Sequence, residues 1–132
     1  VPNPWVALAA RPDIQMLRLS IAEPGRYYHA SRSIIMRTGL LIEDERRFLW
    51  HELTHAERGD EACYSSVEVE RSVDREAAQW AMPLSALEWA FGEALAFHEA
   101  ASLLKLPESW VLYRLDVAHP AERALVQCAA RS

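Results

Sequence analysis

The sequence predicts a single α+β domain, in which a small N-terminal antiparallel sheet packs on a helical bundle. Its 132 residues, 51% of them hydrophobic, are enough for one core but hardly for two. Short runs with β-branched residues characterise about residues 1–40, whereas helical periodicity prevails over residues 43–132. Because no repeat, low-complexity tract or linker divides the chain, we expect one domain over residues 1–132.

Two short strands are predicted in the first third of the chain. They cover residues 14–21 and 33–37, and residues 23–26 (Glu-Pro-Gly-Arg) between them supply the chemistry of a turn. A polar and aromatic stretch around Tyr27, Tyr28 and His29 completes the connection. This order predicts a β-hairpin or a small antiparallel sheet.

From Glu43 the pattern becomes helical. Acids at residues 43–45 suit a first helical turn, apolar residues recur at helical spacing from Phe48 to Ala56, and Gly59 follows where such a helix ends. A second helix is predicted from Ser65 or Ser66 to Ala81. Residues 84–104 are predicted to form either one long helix or two short helices divided at Gly92. Two more helices are predicted, one from Pro107 through Leu115 and one from His119-Pro120 to about Cys128. We therefore expect four to six helices after the sheet.

Composition and charge exclude several classes of protein. The chain has 14 Lys and Arg against 19 Asp and Glu, and this net charge of −5 argues against direct binding to nucleic acid. No apolar run approaches the roughly 18 residues that span a bilayer, and residues 1–20 lack a signal-peptide pattern, so we expect no membrane partner and a cytoplasmic location. Cys63 and Cys128 are too far apart in sequence to indicate a disulfide scaffold or a thiolate metal site.

One motif indicates specific chemistry. His51-Glu52-Leu53-Thr54-His55 places two histidines four residues apart inside the first long helix. Since a helix turns by about 100° per residue, both imidazoles lie on one face, where they can bind one Zn²⁺. Glu52 cannot point at the metal in the same way, but its carboxylate can take a proton from a zinc-bound water. The alternative is that both histidines are ordinary surface or core residues.

A third ligand is expected, because a catalytic zinc usually has three protein ligands. Asp60 and Glu61 follow Gly59 too closely to fold back easily. Glu70 and Asp74 lie one turn apart on the second helix, so Glu70 can bind zinc while Asp74 accepts the outer N–H of a ligating histidine. Glu68 and Glu76 are the remaining candidate acids. The strongest alternatives to Glu70 are Asp60 and Glu76, and Glu76 lies about 120° away from Glu70 around the helix.

Residues 46–56, followed by Gly59-Asp60, resemble the active-site helix of the ImmA/IrrE metallopeptidases. The second signature of that family is a Glu, two variable residues, a small residue, an Asn or Asp, and an alanine-containing stretch that closes in Met-Pro. Residues 70–83 match this spacing without a gap, although Val73 replaces the usual Ala, Glu76 a common Phe, and residues 80–81 the usual Leu-Leu. The likeness covers roughly residues 30–125, and its specific motifs lie within residues 46–83. The members of the family that the chain resembles are the compact versions found in actinobacteria and their phages.

The resemblance implies a zincin-like fold in which His51, His55 and Glu70 bind zinc. It also implies that Glu52 is the general base and that Asp74 supports one of the ligands. It implies an endopeptidase that hydrolyses a specific protein, such as a helix-turn-helix repressor of a mobile element or stress gene. The alternative function is a non-enzymatic regulator on the same fold, which binds a partner and keeps the metal for stability. A weaker alternative is metal-dependent hydrolysis of a non-peptide amide.

The remaining assignments are less specific. A substrate peptide is expected along the edge of strand 33–38. Four tryptophans at helical positions are interpreted as core residues, namely Trp50, Trp80, Trp89 and Trp110. The side chains that could stabilise an oxyanion are Tyr27, Tyr28, His29, Tyr64 and His98, each of them more typical of a packing or surface role.

Overall fold

The α+β prediction is confirmed by a computed structural model, which describes residues 1–60 and 66–131. A three-stranded sheet near the N-terminus is followed by a series of helices. The elements, in chain order, are α1 (Pro4–Ala9), β1 (Gln15–Leu19), β2 (Gly25–Tyr28), β3 (Ser33–Arg37), α2 (Ile42–Arg58), α3 (Val67–Ala81), α4 (Leu84–Glu93), α5 (Phe97–Leu104), α6 (Glu108–Asp116) and α7 (Pro120–Ala130).

The sheet is mixed, with the order β1-β3-β2, so the prediction of a purely antiparallel sheet is wrong. β1 runs parallel to β3, and β2 runs antiparallel to it. The cause is β2 itself, which occupies residues predicted to form the turn and connection and reverses the chain between the other two strands. Since β3 has a neighbour on both sides, the edge of strand 33–38 is not available to a peptide, and that prediction is wrong as well.

α2 and α3 form where the sequence predicts them. α2 has no side-chain cap, but the three acids of its first turn suit the positive end of the helix dipole. It ends at Gly59, whose φ of 76° is the left-handed conformation that glycine adopts most easily. α3 begins after Ser66, whose hydroxyl accepts a hydrogen bond from the N–H of Val69. Ser65, the other predicted start, lies outside the described residues.

Residues 84–104 form two helices, but they are not divided at Gly92. That glycine lies inside α4, where an added β-carbon would be 3.6 Å from the carbonyl oxygen of Ala129 in α7. The chain leaves the helix at Ala94 instead, and the Glu99 carboxylate accepts the N–H of Leu95 at the start of α5. No glycine or proline marks residues 94–96, which is why the pattern misplaced the break.

The first helix, α1, is a feature that the hydrophobic pattern does not predict. It has only six residues, too few for a periodicity to show. Asn3 caps it by accepting the N–H of Trp5, and Pro4 occupies its first turn.

Two apolar clusters share α2. The sheet core consists of Ile14, Tyr27, Ile34, Met36, Leu49, Leu53 and Ala56, and the helical core consists of Trp50 with buried residues of α3 to α7 and their connections, among them Leu87, Leu104, Trp110 and Val111. Trp50 and Trp110 are buried as predicted. The same prediction is wrong for Trp80 and Trp89, whose exposed fractions are 57% and 44%.

Two expectations from composition concern membranes and cysteines. Over residues 1–60 and 66–131, no helix combines the length and the apolar character needed to cross a bilayer. Cys63 lies outside the described residues.

Candidate metal centre

α2 and α3 bring three side chains of metal-ligand type together. His51 and His55 lie one turn apart on α2 and face Glu70 near the start of α3. Glu70 Oε2 is 2.7 Å from His51 Nε2 and 3.2 Å from His55 Nε2, and one donor atom from each residue lies within 4.8 Å of the others. The part of the chain that the structure describes therefore contains a His-His-Glu group that could hold a metal ion, and it consists of the three residues predicted.

Asp74 lies one turn beyond Glu70 on α3 and faces the outer nitrogen of the first histidine. Its Oδ1 atom is 3.3 Å from His51 Nδ1 and also accepts a hydrogen bond from Trp110 Nε1 at 3.2 Å. The indole of Trp110 thus belongs both to the helical core and to the support of this carboxylate. Its apolar spacing predicted the first role, but no local pattern relates α6 to Asp74, so the second was missed.

Asp60 folds back toward the second histidine, although the sequence suggested that it follows Gly59 too closely to do so. His55 is completely buried, and its Nδ1 atom is 3.4 Å from Asp60 Oδ2. Asp60 is therefore placed at the outer side of His55 and does not belong to the His-His-Glu group. Among the described acids, Glu68 and Glu76 do not belong to that group either, and Glu61 lies outside the described residues.

Glu52 is a buried acid with only 3% of its surface exposed. This burial raises its pKa to about 7, against the opposing charges of His51 and Arg26. Gly25, at the start of β2, packs directly on it, since an added β-carbon would be 3.2 Å from Glu52 Cγ. The glycine that suggested a turn therefore lets the sheet approach the carboxylate closely.

The electrostatics of the group favour a cation between its members. Burial by itself lowers the pKa of His51, but the hydrogen bonds to Asp74 and Glu70 and the charge of Glu52 outweigh it, so the pKa is raised. Burial likewise raises the pKa of Glu70, but the two imidazoles outweigh it and lower the pKa. Without a metal, the site thus stabilises an imidazolium at His51 beside an ionised Glu70, and a metal ion can take the place of that proton.

A cleft of about 560 Å³ opens over this group. It is bounded by the start of β2, by α2 and α3, and by Tyr113 of α6, and both Glu52 and Glu70 line it. Tyr113 is a cleft residue that the sequence did not reveal, because it lies far along the chain from the motif. Burial and the nearby charge of Asp74 raise the pKa of its phenol.

The predicted oxyanion donors that the structure describes lie away from the cleft. Tyr27 is completely buried in the sheet core, and its hydroxyl is hydrogen-bonded to His29 Nδ1 at 2.9 Å. Tyr28, His29 and His98 do not line the cleft. Tyr64 lies outside the described residues. Of the tyrosines and histidines that the structure describes, Tyr113 and His51 are the ones at the cleft.

No protein-family model matches this chain, no curated protein matches it, and no solved structure matches it. The similarity of residues 46–83 to the ImmA/IrrE helix pair stays a prediction, and the chemistry of the site rests on its own geometry.

Proposed function

We propose that this chain is a zinc-dependent endopeptidase of the ImmA/IrrE type with a zincin-like fold. The observation that carries the proposal is the buried carboxylate of Glu52, which lines the same cleft as His51 and Glu70. Burying a carboxylate costs stability, and a metal site that served stability alone would gain nothing from it. An acid beside the metal is what hydrolysis of an amide bond requires.

The donor set fits zinc. It offers two imidazole nitrogens and one carboxylate oxygen, and a carboxylate lies at the outer nitrogen of each imidazole. Three protein ligands are the usual number for a catalytic zinc, in contrast to the four of a structural one. When bound, zinc supplies Lewis-acid chemistry, which polarises a carbonyl group and makes water a stronger acid.

Glu52 moves the proton in the proposed reaction. With a pKa of about 7, its carboxylate can accept a proton from the attacking water and return it to the leaving amine at neutral pH. A positive charge at the His-His-Glu group favours the ionised form of Glu52, which is the form that accepts the proton. Tyr113 lines the cleft, and we propose that its phenol donates to the carbonyl group of the substrate.

The substrate peptide is proposed to lie along β2. This strand pairs with β3, and in the order β1-β3-β2 it is an outer strand at the edge of the sheet. Its start, at Gly25 and Arg26, forms a wall of the cleft. An extended peptide can therefore add to this edge through main-chain hydrogen bonds while one of its amide bonds lies over the His-His-Glu group.

The proposed substrate is a specific protein, a repressor-type regulator such as a helix-turn-helix protein of a phage or mobile element. The net charge of −5 supports a protein target over direct contact with nucleic acid. Cleavage of such a regulator takes place in the cytoplasm, which is the location that we propose. The second candidate is a non-enzymatic metal-stabilised regulator, which the following experiment separates from the first.

The test compares the zinc-loaded wild type with Glu52→Gln, in which an amide of the same shape cannot accept the proton. Each protein is incubated with any repressor-type protein that is encoded beside its gene, and with a lysate of the cells that carry the gene. New N-termini are then identified by mass spectrometry, and bound zinc is measured by atomic emission. We expect new N-termini with the wild type only and full zinc in both proteins.

Glu43→Gln is the matched control, because it makes the same chemical change on the exposed first turn of α2. It should cleave like the wild type. If the wild type and Glu52→Gln both bind zinc and yield the same N-termini, the endopeptidase proposal is wrong. Partner binding that is equal in both proteins then identifies the non-enzymatic regulator.

A further inference from the structure

We propose that Asp60 is a positioning residue for His55, whose imidazole it holds in the metal-binding tautomer as Asp74 holds that of His51. The inference rests on the metal site of the proposed function, but not on proteolysis. It assigns a role to an acid that sequence reasoning considered only as a ligand.

Two buried atoms face each other at this point. Asp60 Oδ2 is 3.4 Å from Nδ1 of the fully buried His55. Both atoms are shielded from solvent, and within residues 1–60 and 66–131 neither has an aligned hydrogen-bond partner. A buried polar atom without a partner is costly, and His55 Nδ1 is such an atom. A hydrogen bond from its N–H to Asp60 Oδ2 would supply the partner, beside the ion pair that Oδ2 makes with Arg58.

The end of α2 explains why Asp60 lies there. The N–H of Gly59 donates to the carbonyl oxygen of Ala56, and the N–H of Asp60 donates to that of His55 at 3.0 Å. This pair of bonds is the Schellman motif, which folds the second residue after a helix over the residue five positions earlier. An apolar contact usually accompanies the motif, whereas here the two positions hold an acid and an imidazole.

Arg58 restrains the carboxylate from another direction. Its Nε atom is 3.2 Å from the same Oδ2 of Asp60, and its NH1 donates to the hydroxyl of Ser72 on α3. The ion pair keeps the carboxylate between a guanidinium and the imidazole of His55. The position of Asp60 is thus set by the helix end and by a contact to the neighbouring helix.

The result is a site with two similar halves. His51 Nδ1 faces Asp74, His55 Nδ1 faces Asp60, and both Nε2 atoms face Glu70 Oε2. A proton fixed on Nδ1 leaves the lone pair of Nε2 directed at the ion, and the carboxylate makes that nitrogen a stronger donor. If the proton of His55 were on Nε2 alone, an N–H would point at the ligand position.

The first experiment reads the tautomer in the metal-free protein. Imidazole ¹⁵N chemical shifts are compared for the wild type, Asp60→Ala, Asp60→Asn and the control Asp116→Asn, which changes an exposed acid at the end of α6. Because Glu70 also faces Nε2 of His55, at 3.2 Å, and can hold the proton there, each protein is also measured with Glu70→Ala. In that background we expect a protonated Nδ1 on His55 where Asp60 is present. Asp60→Ala should move this signal toward the unprotonated value and leave that of His51 unchanged, and the control should move neither.

The second experiment measures zinc affinity by competition with a chromophoric chelator. Asp60→Ala should bind zinc about 10–100-fold more weakly. Asp60→Asn keeps an acceptor oxygen and should recover part of this loss. Gly59→Ala should reproduce most of it, because an alanine is strained at a φ of 76° and the turn that carries Asp60 shifts.

Wild-type zinc affinity in Asp60→Ala together with an unchanged Nδ1 signal overturns the proposal. So does a loss of unfolding free energy that leaves both readouts unchanged, since it shows a purely structural role. If the wild type binds no zinc, the proposed function fails, while the nitrogen shifts still decide about Asp60. If Asp60→Ala does not fold, the same two measurements on Asp60→Asn decide.

Discussion

The helical core and the metal-site side of α2 bury opposite kinds of side chain. The helical core is apolar throughout, and the buried charge beside it, Arg114, has its guanidinium bonded to the carbonyl of Met82 and to Glu122. α2 instead buries Glu52 and His55 within one turn of each other. Apolar burial stabilises a fold, whereas burial of charge costs stability unless partners offset it. Replacing a residue of the helical core should therefore lower the free energy of unfolding. Replacing a residue of the metal site should weaken metal binding, and it can even raise the free energy of unfolding.

The largest effect is expected in the helical core. Leu87 on α4 is completely buried, and Leu87→Ala should lower the free energy of unfolding by about 2–5 kcal/mol, because it leaves a cavity. Urea denaturation of the metal-free protein measures this change. The folded fraction should bind zinc with the affinity of the wild type. A tenfold weaker affinity in Leu87→Ala would show that the core and the site are not energetically separate.

The next largest effect is expected at Glu70, the proposed third ligand. Zinc binds to four-ligand structural sites with about 10–16 kcal/mol, so loss of one ligand in Glu70→Ala should cost on the order of 3–4 kcal/mol of binding, or several hundredfold in affinity. Chelator competition measures the affinity, and Glu68→Ala, an exposed acid on the same helix, is the control. Full zinc binding by Glu70→Ala would contradict the assignment of Glu70 as a ligand.

A smaller and pH-dependent effect is expected from Glu52→Gln in the metal-free protein. Burial raises the folded-state pKa of Glu52 to about 7, so the folded protein keeps a proton that the unfolded chain releases near pH 4.5. The contribution of Glu52 to the free energy of unfolding is therefore fully present below pH 4.5, and it is lost as the pH rises to about 7. Above pH 7 the variant should be more stable than the wild type by roughly 3 kcal/mol.

Urea denaturation at pH 4.5, 6 and 8 checks this sign. The difference between Glu52→Gln and the wild type should grow with pH, whereas Glu43→Gln on the exposed end of α2 should show no such trend. A variant that is less stable than the wild type at pH 8 would contradict the view that this carboxylate is kept at a cost. In that case Glu52 would be a structural residue with a favourable partner.

The features that the sequence predicted well are those that short stretches of chain determine. The helix of His51 and His55 follows from periodicity, from acids at its start and from Gly59 at its end, and the spacing of the two histidines sets their common face. Glu70 and Asp74 were identified by the same spacing rule on α3. Each of these inferences needs only the geometry of one helix.

The features that the sequence did not predict depend on contacts between distant segments. β2 has four residues and a turn-like glycine, and only its pairing with β3 makes it a strand. Asp60 was ranked behind Glu70 as a ligand because it directly follows Gly59, whereas the left-handed glycine turns the chain back toward His55. Tyr113 comes to the cleft through the packing of α6 on α3, which no local pattern encodes.

The smallest expected effect concerns Trp110, the residue that connects the two regions compared above. Trp110→Phe keeps an aromatic ring in the helical core but removes the Nε1–H that donates to Asp74 at 3.2 Å. Asp74 then orients His51 with one restraint fewer, so zinc affinity should fall by less than the roughly 10–100-fold expected when a supporting carboxylate is removed. Loss of the hydrogen bond and of ring volume should also lower the free energy of unfolding by about 1–3 kcal/mol.

The control is Leu104→Ala, which leaves a cavity in the same core but removes no bond to Asp74. It should lower the free energy of unfolding without changing the zinc affinity. If both variants bind zinc equally well, the indole serves the core alone, and the two regions are independent even where they touch.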